Sequence, residues 1–170
     1  MGGAKKDMNL QRVVYREHPL PSDLQRVRKI VASSDFFSKE ELDIALELVE
    51  EGLHKGVSSG YHFLFAENGK GQMIGYACFG PIPGTKESYD LYWIAVENEV
   101  RGSGLGKEIL GKAEQGISEL GGKRIYVETS SREQYEPTQA FYSKCGYEME
   151  AVLKDFYSPG DDKIIYVKVI

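Results

Sequence analysis

The sequence predicts an α/β fold built on a mixed sheet, and three observations carry that reading. Strand and helix periods alternate along the chain; one strand is apolar on both faces; and that strand leads through a glycine-rich turn into a helix and then another strand. A strand–helix–strand passage of this length implies a parallel pair, whereas a short turn between two earlier strands implies an antiparallel one. At 170 residues the chain suits one core, so 1–170 is read as a single domain with 1–10 as a short flexible arm.

Residues 12–17 (RVVYRE) are rich in β-branched and aromatic types and read as a short strand. Beyond Pro19 and Pro21, Ser22 is placed to cap a helix whose apolar residues Leu24, Val27, Ile30 and Val31 recur at helical spacing. Ser38-Lys39-Glu40-Glu41 is a capping box, in which the serine hydroxyl and the glutamate carboxylate each answer an amide of the first turn. Leu42, Ala45, Leu46, Val49 and Leu53 continue one face of that helix as far as Gly56. Residues 61–66 and 72–79 form an expected hairpin about the turn 67–71.

Residues 88–96 (SYDLYWIAV) are nearly continuous in apolar and aromatic side chains, as a central strand is. The next helix carries Leu105, Ile109, Leu110, Ala113, Ile117 and Leu120 on one face and ends at Gly121-Gly122. A strand is expected over 123–128, a helix over 138–144, and closing strands over 147–156 and 163–170 around a turn at 158–162.

Composition is globular, with 41% hydrophobic and 28% charged residues, and the net charge of -5 gives no support to a general affinity for nucleic acid or anionic membrane. Cys78 and Cys145 are too few for a disulfide framework and read as reduced thiols of a cytoplasmic protein. The N-terminal MGGAKKDMN has no apolar run, and Lys6 stands where a myristoylation signal needs Ser or Thr. His18, His54 and His62 have no metal-binding spacing, so no metal is expected.

The segment that carries chemistry is Val100-Arg101-Gly102-Ser103-Gly104-Leu105-Gly106-Lys107, between the strongest strand and a helix. First-turn amides have no partner within a helix, and the helix dipole adds partial positive charge there. Glycines let backbone approach an anion, and Arg101 and Lys107 add full charges, so a phosphate or pyrophosphate is the natural guest. A P-loop is excluded because Arg101 stands at its first glycine and Glu108 follows the lysine. A dinucleotide fingerprint lacks its third glycine, since position 107 is Lys.

A third pattern fits. Arg101-Gly102-Ser103-Gly104-Leu105-Gly106 matches Arg/Gln-x-x-Gly-x-Gly/Ala, and with YWIAV before it and AFYSKCGY at 140–147 the chain resembles the GCN5-related N-acetyltransferase (GNAT) family. The resemblance is tight over 89–147. It implies a mostly antiparallel central sheet with flanking helices, in which the parallel strands 4 and 5 splay apart. It also implies acetyl-coenzyme A as co-substrate, an amine acceptor (a small molecule, or a protein N-terminus or lysine), and direct attack of that amine on the thioester. Homodimers are frequent in the family. The other class weighed is an acyl-CoA-binding sensor without turnover.

By this resemblance Arg101, Gly102, Ser103, Gly104, Leu105, Gly106 and Lys107 hold the pyrophosphate. The backbone of Ile94, Ala95 and Val96 meets the pantetheine arm, with a bulge expected near Ala95. Tyr142 would touch the coenzyme and protonate the leaving thiolate. Glu128 is placed as general base, with Glu97 and Asp90 as rivals and water chains as a further route. Where many relatives have Asn this chain has Tyr135, so Ser130, Ser131 and Arg132 are expected to take over part of that role. Cys145 is read as packing. The run 156–162 (FYSPGDD) resembles the loop walling the acceptor site in N-terminal acetyltransferases, where Asp161 and Asp162 would attract a cationic amine; a plain hairpin turn fits the same residues.

Overall fold

The computed structural model describes residues 12–34 and 36–170; the arm expected at 1–10 lies outside them. The elements run β1 (Val14–Arg16), α1 (Pro21–Ala32), α2 (Lys39–Lys55), β2 (His62–Glu67), β3 (Met73–Pro81), β4 (Ser88–Val96), α3 (Leu105–Glu119), β5 (Arg124–Ser130), α4 (Glu136–Lys144), β6 (Glu148–Ser158) and β7 (Asp161–Val169). The seven strands form one sheet in the order β1-β2-β3-β4-β5-β7-β6. Only β4 and β5 pair in parallel, joined by the crossover helix α3; β5 and β6, joined by α4, are kept apart by the antiparallel β7.

Each helix pair covers one face. Val27, Ile30, Val31, Ala45, Leu46 and Val49 of α1 and α2 pack on Phe63, Phe65, Tyr76 and Cys78. Leu105, Ile109, Leu110, Ala113 and Ile117 of α3, with Tyr142 of α4, pack on the opposite face against Ile74, Ala77, Leu91, Val127 and Tyr166. Strand residues alternate between these two cores, as the pleat requires.

The capping box of α2 is as read from sequence: Glu41 N–H donates to Ser38 Oγ at 3.2 Å, and Ser38 N–H donates to Glu41 Oε2 at 2.7 Å. The start of α1 differs. Its cap position is Leu20 rather than Ser22, because Pro21 at the first helical position presets φ and the Asp23 carboxylate accepts from Leu20 N–H at 2.6 Å.

One irregularity positions the site. Along β3 and β4, Cys78 faces Trp93 but Phe79 faces Leu91, so Tyr92 is an extra residue on β4. From Trp93 to Val96 the register is regular, which moves the bulge expected near Ala95 three residues upstream. The parallel ladder with β5 holds only over Ser88, Tyr89 and Asp90. Past Asp90 the bulge turns β4, the strands part, and the β5-facing edge of residues 91–96 is left without a strand partner.

Candidate active site

The glycine-rich turn sits at the mouth of that cleft, at the start of α3. Gly102 (φ 76°) and Gly104 (φ 90°) occupy the left-handed region, which would strain a side-chain-bearing residue. Ser103 Oγ donates to Val100 O at 2.5 Å and accepts weakly from Leu105 N–H at 3.4 Å, so the serine shapes the turn. The first helical bond runs from Glu108 N–H to Gly104 O, so the Gly106 and Lys107 amides precede it and have no helical acceptor. Arg101 is exposed, its guanidinium 5.3 Å from the Phe36 ring centre, and Lys107 is exposed as well. Open amides, positive-φ glycines and two cations make a fitting cradle for a diphosphate.

Ile94 and Val96 face α3, Ala95 faces the α1–α2 side, and their backbone lies on the unpaired edge. Tyr142 is buried on the α3 face, its ring 5.5 Å from those of Phe141 and Tyr147 and 6.3 Å from Tyr166. Burial, with a smaller push from Cys145, holds its phenol well above the ordinary value, so it keeps its proton at neutral pH. Burial also raises the Cys145 thiol, which fits packing rather than nucleophilic chemistry.

The three carboxylates weighed as base are in different situations. Glu97 is bound to Arg26 at 2.8 Å, and Arg26 is itself anchored on Met73 O. Glu128 is half-exposed on β5 and paired with Lys163 at 2.8 Å. Asp90 stands where β4 and β5 part and is half-buried; desolvation and the Glu128 charge push its carboxyl up to about 6, against a smaller pull from Lys163. By strand alternation Asp90, Glu128 and Lys163 all face the α1–α2 side, opposite α3.

Sequence reasoning gave Lys163 no role. Its side chain is 14% exposed, with Nζ 3.8 Å from the Phe156 ring centre and 5.8 Å from that of Tyr157. The position opposite Ser130 on β7 was the available signal, but it needs the pairing of β5 with β7 to be known.

The 156–162 run closes the β6–β7 hairpin, as the plain-turn reading has it: Ser158 pairs with Asp161, with an irregularity between Leu153 and Ser158, and this end of the hairpin forms a tongue. Asp161 is buried; Ser130 Oγ donates to its carboxylate, and Arg132 Nε lies 3.1 Å from it. Asp162 Oδ1 accepts from Asp155 N–H at 2.8 Å, and Asp162 N–H donates to Ser131 Oγ. Both aspartates are therefore engaged within the hairpin rather than free to attract an amine, and Ser130, Ser131 and Arg132 are bonded to them. Tyr135, at that Asn position, donates to Glu41 Oε1 at 3.1 Å, while Gln134 Nε2 donates to Phe36 O, tying the turn before α4 to the start of α2.

A domain model described as acetyltransferase (GNAT) matches residues 59–149. A solved GNAT-family structure from Desulfovibrio desulfuricans is 47% identical, superposes with a TM-score of 0.90, and is matched over 93% of this chain and 99% of its own. The chain belongs to the GNAT acetyltransferase family. GNAT enzymes use acetyl-CoA as acetyl donor, and the seven-stranded sheet with its parallel β4–β5 pair is the GNAT fold. An aminoglycoside 6′-N-acetyltransferase complexed with coenzyme A shares this fold at 18% identity (TM-score 0.72; 92% of this chain, 96% of that one). A ribosomal-protein-alanine N-acetyltransferase from Brucella melitensis shares it at 23% (TM-score 0.73; 92% and 99%). No curated protein matches the chain. Among the described residues of this GNAT protein, no helix is long and apolar enough to cross a membrane, and no group of three or more His, Cys, Asp or Glu side chains could hold a metal ion.

Proposed function

We propose that this protein transfers an acetyl group from acetyl-CoA to a primary amine by direct attack, in the cytoplasm, where its two unpaired cysteines fit a reducing environment. The observation that carries the reading is the cleft opened at Asp90, with an anion cradle on one face and a carboxylate cluster on the other. When bound, the coenzyme supplies an activated acetyl thioester. Arg101 and the amides through Lys107 hold its diphosphate; the edge of Ile94, Ala95 and Val96 is free to hydrogen-bond the pantetheine and orient the carbonyl. Tyr142, protonated at neutral pH, donates to the departing sulfur. The carboxylate cluster, with Glu128 among its members, attracts the ammonium and relieves it of a proton.

The acceptor is an amine of a small molecule or of a protein N-terminus or lysine. The names of two relatives, an aminoglycoside and a ribosomal-protein-alanine acetyltransferase, span those two kinds. The test has two arms. Acetyl-CoA is expected to raise the melting temperature, whereas NAD and ATP leave it unchanged. Thiol release is then followed with polyamines, amino acids, aminoglycosides and N-terminal peptides. Binding without release for any amine would point to an acyl-CoA sensor, and a shift with ATP alone would overturn the assignment.

A further inference from the structure

We infer that Asp90 is the group that takes the acceptor's proton, and that Lys163 is a positioning residue that makes this possible by engaging Glu128. The inference rests on the transferase reading and adds a division of labour within the cluster. Two carboxylates and one ammonium share the α1–α2 side of the open cleft, and the ammonium is committed to one carboxylate: Lys163 Nζ is 2.8 Å from Glu128 Oε2. It is held there from above by Phe156 at 3.8 Å and Tyr157 at 5.8 Å. Those rings are carried by the tongue, whose Asp155 N–H and Asp162 N–H are bonded to Asp162 Oδ1 and Ser131 Oγ. Lys163 is thus engaged with Glu128 and the two rings rather than with Asp90.

Among the described residues no ion pair engages Asp90, which stands at the point where the strands separate. The groups facing it are Tyr92 on its own strand, Tyr126 opposite it and Glu128 two residues further on β5, and Lys163 on β7. Tyr61 packs edge-on against Tyr92 at 5.3 Å and closes the other side. Near neutral pH the cluster thus carries one uncompensated negative charge. An arriving ammonium supplies the missing cation. One N–H bond of the ammonium breaks as the Asp90 O–H bond forms; the freed lone pair forms the bond to the acetyl carbon as the C–S bond breaks, the sulfur takes the Tyr142 proton, and a second N–H proton, made acidic by the new N–C bond, passes through water to restore the Tyr142 hydroxyl. Asp90 then returns its proton to water. A base needs a pKa near the working pH, which burial and the neighbouring Glu128 charge give Asp90.

The decisive experiment is a carboxyl-¹³C NMR titration of Asp90 in the full chain, without ligand. The wild-type midpoint is expected near 6. Lys163→Met should move it up by about half a pH unit or more, because a nearby cation is lost, and Lys163→Arg should bring it back. Glu128→Gln should move it down, because a nearby anion is lost. General loosening of the fold would shift both variants the same way, so shifts in one direction, or none, overturn the inference. The acid limb of kcat/KM should follow the same order and vanish in Asp90→Asn; an intact limb in that variant overturns the inference as well. A wild type with these titrations but no transfer to any amine would instead sink the transferase reading, so the two failures are distinct.

Discussion

Tyr92 and Trp93 are neighbours in the chain yet turn their side chains to the same face of the sheet, against α1 and α2. In a regular strand they would point to opposite faces. The extra residue lets β4 keep its ladder with β3 while leaving β5 after Asp90, so one local irregularity produces both the gap and the unpaired edge beside it. Trp93 is held by Phe37 at 4.9 Å and Tyr92 by Tyr61 at 5.3 Å, so the bulge is fixed from the α1–α2 side.

Gly104→Ala tests the cradle. At φ 90° a methyl group costs about 1–2 kcal/mol, and relief of that strain would swing the amides behind it. Acetyl-CoA is expected to bind roughly tenfold more weakly by calorimetry. The free protein should melt about 2–4 °C lower per kcal/mol of strain retained. An unchanged dissociation constant would show that the turn does not grip the ligand.

Tyr142→Phe separates chemistry from binding. The ring packing among Phe141, Tyr147 and Tyr166 is preserved by Phe, and only the hydroxyl is lost. Turnover is expected to fall by on the order of 10²–10⁴, while the acetyl-CoA dissociation constant stays within about threefold. Equal turnover in the two proteins would leave Tyr142 as a packing residue.

Local rules made much of this molecule legible in the sequence. The capping box of Ser38 and Glu41 depends on four consecutive residues, and β4 spans the same 88–96 that its composition marked. The glycine turn was legible because only a few patterns place positive charge and glycine at a helix start. What stayed hidden depends on distant partners. The start of α1 is set by Asp23, which is itself held by Arg16 from β1 at 2.8 Å. The bulge at Tyr92 left no trace because YWIAV is apolar on both faces, so there was no alternation to break. Lys163 meets Glu128 across β5 and β7, and that pairing fixed which carboxylate was already engaged.

The tongue can be tested through Asp155, the one non-glycine at positive φ among the described residues (φ 53°), whose Oδ1 accepts from Gly160 N–H at 2.7 Å. Asn tolerates this conformation and keeps an acceptor, so Asp155→Asn is expected to be nearly neutral. Asp155→Gly loses the bond but relieves the backbone; Asp155→Ala loses the bond and keeps the strain. Ala should therefore be less stable than Gly by about 1–2 kcal/mol in denaturant unfolding. The same order in acceptor KM would tie the tongue to the acceptor side.

Asp90 is expected to cost the fold stability at neutral pH. Its folded pKa of about 6 lies above the ordinary value of about 3.9, so between these values the native state binds more protons than the unfolded chain. The stability tied to this proton is fully present below pH ~4 and is lost as the pH rises through about 6. Asn mimics the protonated carboxyl and does not titrate. Asp90→Asn is therefore expected to melt above the wild type at pH 7–8, with the gap closing through that window and gone near pH 4. Melting curves of both proteins across the range measure it. A wild type at least as stable as Asp90→Asn at pH 8 would mean that the carboxylate has a counter-ion after all, most directly Lys163 swung away from Glu128.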